Sequence, residues 1–153
     1  MTVSIRALVT ADEIQEVIAV DRECFTNPWT EEMYRAELAH PERSRFLLAS
    51  VDGHVVGACS YWRIVDERHI NNLAVRPSFR RAGIGAALLD RVLSTARDER
   101  ASAVLLEVRR SNDAARRLYE RAGFAVIDVR RAYYTNPVED ALVLTLTLTS
   151  SGT

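Results

Sequence analysis

The sequence predicts an α/β (α+β) sandwich around one mixed sheet, mostly antiparallel, flanked by about four helices. Three observations predict it. The 153 residues are the length of one domain with its own core. No repeat, low-complexity stretch or linker-like run divides them. Apolar positions switch repeatedly between helical spacing and strand-like alternation, in the order strand, two helices, several antiparallel strands, then strand–helix–strand–helix–strand–strand. The domain is expected over 1–149, with 150–153 a polar, frayed tail.

Each element has a local reason. Val3 to Leu8 reads as a strand. Thr10 or Asp12 starts a helix with Ile14, Val17, Ile18 and Phe25 at helical spacing, broken by Asn27-Pro28-Trp29. Thr30 caps a short helix, with Glu31 and Glu32 where the macrodipole favours carboxylates. Phe46 to Val51 is an apolar strand, Asp52-Gly53 a hairpin turn, and His54 to Ile64 the returning strand, with Gly57 suggesting a bulge. His69 to Val75 is a strand ended by Arg76-Pro77. The next helix puts Ile84, Leu88, Leu89, Val92, Leu93 and Ala96 on one face. Ala103 to Arg109 is a strand. Ser111 or Asn112 caps a helix that ends at Gly123. Phe124 to Val129 and Ala141 to Thr149 are the last strands, and the second alternates cleanly.

Bulk properties exclude several functions. A net charge of −1 predicts no general attraction to nucleic acid. All 20 basic residues are Arg. Codon bias explains that; a functional reason for having no ε-amines is the other explanation. Cys24 and Cys59 lie far apart, so neither a zinc site nor a disulfide framework is expected, and both read as buried free thiols. His40, His54 and His69 show no metal spacing, and His69 reads as structural. With no leader pattern and no membrane-length apolar run, the expected setting is a reducing cytoplasm, away from any membrane.

The segment Arg80-Arg81-Ala82-Gly83-Ile84-Gly85 joins a strand to a helix. Glycines let a ligand approach the backbone, and the first N–H groups of a helix lack intrahelical partners. Arg76, Arg80 and Arg81 add formal charge, so the turn suits a diphosphate. A nucleoside-triphosphate loop needs a Lys that this chain lacks, and the dinucleotide spacing is absent. CoA also presents a pyrophosphate; a merely structural turn is the alternative.

Arg80-x-x-Gly83-x-Gly85 after Asn72-Leu73-Ala74-Val75 resembles the acetyl-CoA motif of the GNAT superfamily of N-acetyltransferases. The likeness continues through Leu105 to Arg109, Asn112-x-x-Ala115, Leu118-Tyr119 and Gly123-Phe124. Asn27-Pro28-Trp29-Thr30, Arg131-Ala132-Tyr133-Tyr134 and Glu139-Asp140-Ala141 are similar to its bacterial ribosomal-protein alanine N-acetyltransferase (RimI) branch. The resemblance implies a GNAT-type sheet and acetyl-CoA as donor, without a metal. It also implies cofactor contacts from Leu73, Ala74 and Val75, from Arg80, Arg81, Ala82, Gly83, Ile84, Gly85 and Ala86, and from Asn112. Two departures stand out: Arg80 where the branch often has Gln, and Ala132 where a polar residue is common and substrate choice could change.

Amide formation from a thioester needs a neutral amine, an oxyanion stabiliser and a proton for the departing thiolate. Glu107 is the only charged residue between Ala103 and Val108 and the candidate base. Partial burial would raise its pKa toward neutrality; a strand-end Glu paired with an arginine such as Arg109 is the other reading. Tyr119 is the candidate acid, sharing a helix face with Ala115, Leu118 and Ala122; a core tyrosine explains it equally. By resemblance, the oxyanion donor is a backbone N–H near Leu73 to Val75. Trp29, Tyr133 and Tyr134 could line an acceptor groove, or be a helix-start staple and sheet-edge packing. Glu139 and Asp140 could attract an ammonium group or simply be solvated.

The leading expectation is acetylation of a protein N-terminus, that of a ribosomal small-subunit protein beginning with alanine. A small-molecule amine as acceptor and a catalytically silent CoA-binding module are the alternatives.

Overall fold

The computed structural model describes residues 2–8 and 10–148. The elements are β1 (Val3–Ala7), α1 (Ile14–Cys24), α2 (Glu31–Leu38), β2 (Ser44–Val51), β3 (His54–Ile64), β4 (Glu67–Val75), α3 (Ile84–Asp98), β5 (Ala103–Arg109), α4 (Asp113–Arg121), β6 (Ala125–Tyr134) and β7 (Glu139–Thr147). Among the described residues the strands form one sheet in the order β1-β2-β3-β4-β5-β7-β6. Every adjacent pair is antiparallel except β4 and β5. This is the mixed sheet and four-helix complement that the sequence predicts. The tail at 150–153 and Thr149 lie outside the described residues.

Strand alternation sends side chains to opposite faces, and here both faces carry a core. Leu47, Ala49 and Val51 of β2 join the α3 side with Ile84, Leu88, Leu89 and Val92. Phe46 and Leu48 join the α1 side with Ile14, Val17 and Tyr34. All six apolar residues predicted for the α3 face are buried. Gly57 lets that helix lie close: a Cβ there would meet Ala74 O at 3.0 Å and Leu88 Cδ1 at 3.3 Å. The neighbouring Val56 is the extra residue where the β2–β3 register shifts. Asp52 and Gly53 both take positive φ, as a tight hairpin turn requires.

Two boundaries differ from the sequence expectation. The first helix opens with a 3₁₀ turn at Ala11–Glu13 and ends at Cys24, leaving Phe25 extended rather than helical. The sixth strand continues past Val129 to Tyr134. Pairing with β7 carries it through Arg130-Arg131, where the apolar pattern gives out, and a bulge between Arg130 and Tyr134 absorbs two extra residues. Ala132 sits in that bulge at φ 51°, with its N–H donated to Asp140 Oδ1 at 2.9 Å. Left-handed backbone favours Gly or Asn, so what this position asks of its residue is backbone geometry.

Behind β4, Asp21 of α1 is 1% exposed and accepts a hydrogen bond from the Tyr34 hydroxyl of α2. Burial pushes its pKa up to about 6, against the smaller opposing effect of that bond. The sign follows from linkage: between the ordinary carboxyl range and about 6 the folded state binds more protons than the unfolded one. The buried charge therefore costs stability above pH 6, by about 1.4 kcal/mol per pKa unit, and the cost fades on acidification toward pH 4. Asp21→Asn is expected to gain stability relative to wild type in urea unfolding at pH 7.5, and to lose most of that gain at pH 4. An equal difference at both pH values contradicts this.

Candidate active site

The chemistry-bearing residues meet where the sheet opens. β4 and β5 pair in parallel only from Glu67 with Ala103 to Ile70 with Leu106. A bulge then inserts Asn71 into β4, since Ser60 faces Asn72 but Tyr61 faces Ile70. Beyond it the two strands have no paired register, and the gap is a cleft of about 470 Å³, in the range of small-ligand sites. Leu73, Glu107, Asn112, Tyr119, Trp29 and Tyr134 all line it. Residues from four elements and two loops, far apart in sequence, therefore converge on one cleft.

Glu107 does not have the electrostatics expected of it. Its Oε2 lies 2.8 Å from His69 Nε2, and Oε1 lies 3.8 Å from Arg130 Nη2. The His69 hydrogen bond holds the carboxyl below its usual range and outweighs the opposing effect of burial. The expected upward shift is thus corrected: the carboxylate is ionised throughout the neutral range. Its partner is not Arg109. That guanidinium donates to the carbonyls of Pro137 (3.0 Å) and Thr135 (2.9 Å), meets Glu139 at 3.4 Å and stacks over Tyr134 at 4.5 Å.

Tyr119 faces the cleft from α4, with its ring edge-on to Phe124 at 5.6 Å. Burial raises its hydroxyl pKa, so the phenol stays protonated and able to donate. Asn112 fixes the helix start, its Oδ1 accepting from Ala115 N at 3.1 Å. That cap occupies the carbonyl end of the amide.

The glycine turn lies next to the cleft rather than in its lining. Gly83 takes φ +79° at the N-cap of α3. The first helical bond runs from Ala87 N to Gly83 O, so the N–H groups of Ile84, Gly85 and Ala86 precede the helical ladder. A Cβ on Gly85 would stand 3.7 Å from Leu73 Cδ2, which joins the turn to the cleft edge. Ala74 is buried, leaving its backbone as the group to offer. Of the three arginines expected to charge the turn, Arg76 is committed elsewhere: it donates to Val55 O (3.0 Å) and Glu23 Oε1 (2.6 Å). Arg80 donates to Val75 O at 3.1 Å. Cys24, expected to be buried, is only half-buried; it lines the cleft and donates to the same carbonyl at 3.3 Å.

On the opposite side stands Trp29. It packs on Tyr34, 5.3 Å between ring centres, as the residue before the cap meeting the fourth helical position, and it walls the cleft. The bulge separates the two tyrosines: Tyr134 turns into the cleft, whereas Tyr133 is 48% exposed and outside its lining. Asn27 Nδ2 reaches Thr135 O at 3.2 Å, tying the α1–α2 loop to the β6–β7 loop. Sequence reading missed Asn27, Arg109 and His69 here. Pro28-Trp29 flagged Asn27's loop, but no local pattern flags a hydrogen bond spanning 108 residues.

Comparison with known proteins places these features. Residues 14–124 match the model described as the acetyltransferase (GNAT) family. The chain is 33% identical to a Mycobacterium tuberculosis protein named N-alpha-acetyltransferase RimI, over 93% of this chain and 90% of that one. It is 30% identical to the Escherichia coli K12 protein named ribosomal protein bS18-alanine N-acetyltransferase, over 94% and 96%. The crystal structure of the ribosomal-protein-S18-alanine N-acetyltransferase from Escherichia coli superposes with a TM-score of 0.88 at 28% identity, covering 99% of each chain.

Proposed function

Since the chain belongs to the GNAT family and is an N-acetyltransferase, we propose that it transfers an acetyl group from acetyl-CoA to the N-terminal α-amine of a protein, a ribosomal small-subunit protein beginning with alanine. The observation that carries this is the cleft itself: an ionised carboxylate and a protonated phenol face one gap between β4 and β5, with the glycine turn next to its edge. The relatives' printed names supply the acceptor.

In this reading the pyrophosphate lies on the backbone from Arg81 to Ala86, near Arg80, and pantetheine runs along Leu73 to Val75 toward the gap. Arg80 leaves the Val75 carbonyl when pantetheine takes it. Asn112 Nδ2 is the end of that amide left to donate to the cofactor. The peptide enters past Trp29 and Tyr134, and Tyr133 frames the mouth from outside. The amine nitrogen bonds to the thioester carbon, and a backbone N–H of β4 stabilises the oxyanion. Glu107 takes one proton from nitrogen, the C–S bond breaks, and Tyr119 gives one proton to the thiolate; exchange with water then restores both groups. The setting is a reducing cytoplasm, where Cys24 and Cys59 stay thiols.

The turn is tested through Gly83→Val. No atom lies within 4 Å of the added Cβ, but φ +79° is strained for Val, so about 1–2 kcal/mol of stability is lost and the fold is kept. CoA affinity measured by calorimetry is expected to fall roughly tenfold or more. Unchanged affinity removes the turn from the cofactor site. The acceptor is tested by competition. kcat/KM for an Ala-initiated ribosomal peptide should exceed that for polyamines and aminoglycosides; equal or greater turnover of the small amines favours the small-molecule reading. Binding of acetyl-CoA with no acetylation of any of them favours a silent module.

A further inference from the structure

His69 stands outside the cleft lining and outside the proton transfers above, yet it makes the closest polar contact to the base. Its place follows from the sheet. It pairs with Leu105 one residue before the parallel ladder ends, on the face from which Glu107 also projects. Two residues after His69, Asn71 bulges and the strands part. The ring therefore sits at the fork of the cleft, where it can bridge to a residue that β4 no longer pairs with. It is held from behind: its ring lies 5.8 Å from that of Trp62, whose Nε1 donates to Glu37 at 3.1 Å. Arg43 lies over the Trp62 ring at 5.3 Å.

A carboxylate only accepts hydrogen bonds, so the proton of the 2.8 Å contact belongs to Nε2. The titratable and charged groups facing Glu107 are this ring from β4 and the Arg130 guanidinium from β6, with the Tyr134 phenol also in its field. Arg130 is a poor holder, since it is 54% exposed and 3.8 Å away.

We propose that His69 is a positioning residue, whose Nε2–H holds one oxygen of Glu107 so that the other is presented to the incoming amine. This rests on the assignment of Glu107 as base. A free glutamate in an open cleft would sample rotamers that point away from the amine. A carboxylate tied at Oε2 loses that freedom before substrate arrives, which is how orientation accelerates a reaction. The same bond favours the ionised group against the opposing effect of its partial burial.

The test uses His69→Phe, which keeps a ring against Trp62 and removes the donor, and His69→Gln, whose amide puts a donor near the Nε2 position. In wild type the Glu107 carboxyl, followed by carbon NMR with Glu107→Gln to assign it, should titrate below the ordinary glutamate range. His69→Phe should move that midpoint up and lower kcat/KM for peptide at neutral pH by roughly tenfold to a hundredfold, with the acid limb of the profile shifted the same way. His69→Gln should restore most of both, and CoA affinity should be unchanged in either variant. A Glu107 midpoint that does not move in His69→Phe, or Phe and Gln variants equally impaired, overturns the proposal. The NMR titration needs no turnover, so it still decides the role of His69 if the wild type acetylates no peptide and the functional reading fails.

Discussion

Glu107→Gln is expected to lower kcat/KM for peptide acetylation by roughly 10²–10⁴-fold, the usual span of a lost general base, with CoA affinity little changed. Gln keeps the shape and can still accept from His69, so the Oε2–Nε2 contact at 2.8 Å has a counterpart in the variant. What disappears is the negative charge. The size of that loss depends on what the charge does. A carboxylate below its usual range is a poor acceptor for a proton from a free ammonium group, whose reference pKa is about 7.7–8.0. It is a competent acceptor once the nitrogen has bonded to the acyl carbon and become far more acidic. Glu107 thus acts during and after attack, on a substrate that arrives as the neutral amine. The pH dependence has a definite sign. Activity rises with pH as the α-amine deprotonates, and the base itself fails only on the acid side, as pH falls through its depressed pKa. The variant should keep the amine-dependent rise and lose the acid-side steepening. A variant within threefold of wild type at every pH would remove Glu107 from the reaction.

The second large effect belongs to Tyr119→Phe, expected to cost about a hundredfold in kcat with KM for both substrates nearly constant. The residue is 6% exposed and packs edge-on against Phe124, so Phe fills the same space and leaves the hydroxyl as the variable. Burial keeps that hydroxyl protonated well into the alkaline range, so no alkaline limb from Tyr119 should cut the wild-type profile near neutrality. Single-turnover measurements locate the loss in the chemical step. If product release is what slows, or if KM for acetyl-CoA rises in proportion, the phenol is a wall of the cofactor site and not the acid.

Local signals were enough for most elements. The i, i+3, i+4 spacing of Ile84 to Ala96 fixed which side of α3 is buried, and Thr30 capped α2 through Met33 N at 3.2 Å. Asp52-Gly53 made the hairpin turn because both residues tolerate positive φ. Glu107 and Tyr119 were legible as exceptions, a charge in an apolar strand and a phenol on a sheet-facing helix stripe. The rest depends on pairing between distant segments. The extension of β6 through Tyr134 needs β7 as partner, since Arg130 and Arg131 give no strand pattern of their own. The sense of the Glu107 shift depends on a ring 38 residues away, brought near by a parallel register that no local pattern encodes. Arg76 looked like charge for the turn because sequence proximity does not show that Glu23, on α1, claims it first.

The central claim is that one gap between β4 and β5 joins the acetyl donor to a peptide α-amine. A crystal structure with a bisubstrate conjugate, CoA linked through an acetyl bridge to an Ala-initiated peptide, tests it most directly. The account predicts the pyrophosphate on the Arg81 to Ala86 backbone, the acetyl bridge between Glu107 and Tyr119, and the peptide leaving past Trp29 and Tyr134. A pyrophosphate bound away from that turn, or a bridge out of reach of both Glu107 and Tyr119, would contradict it.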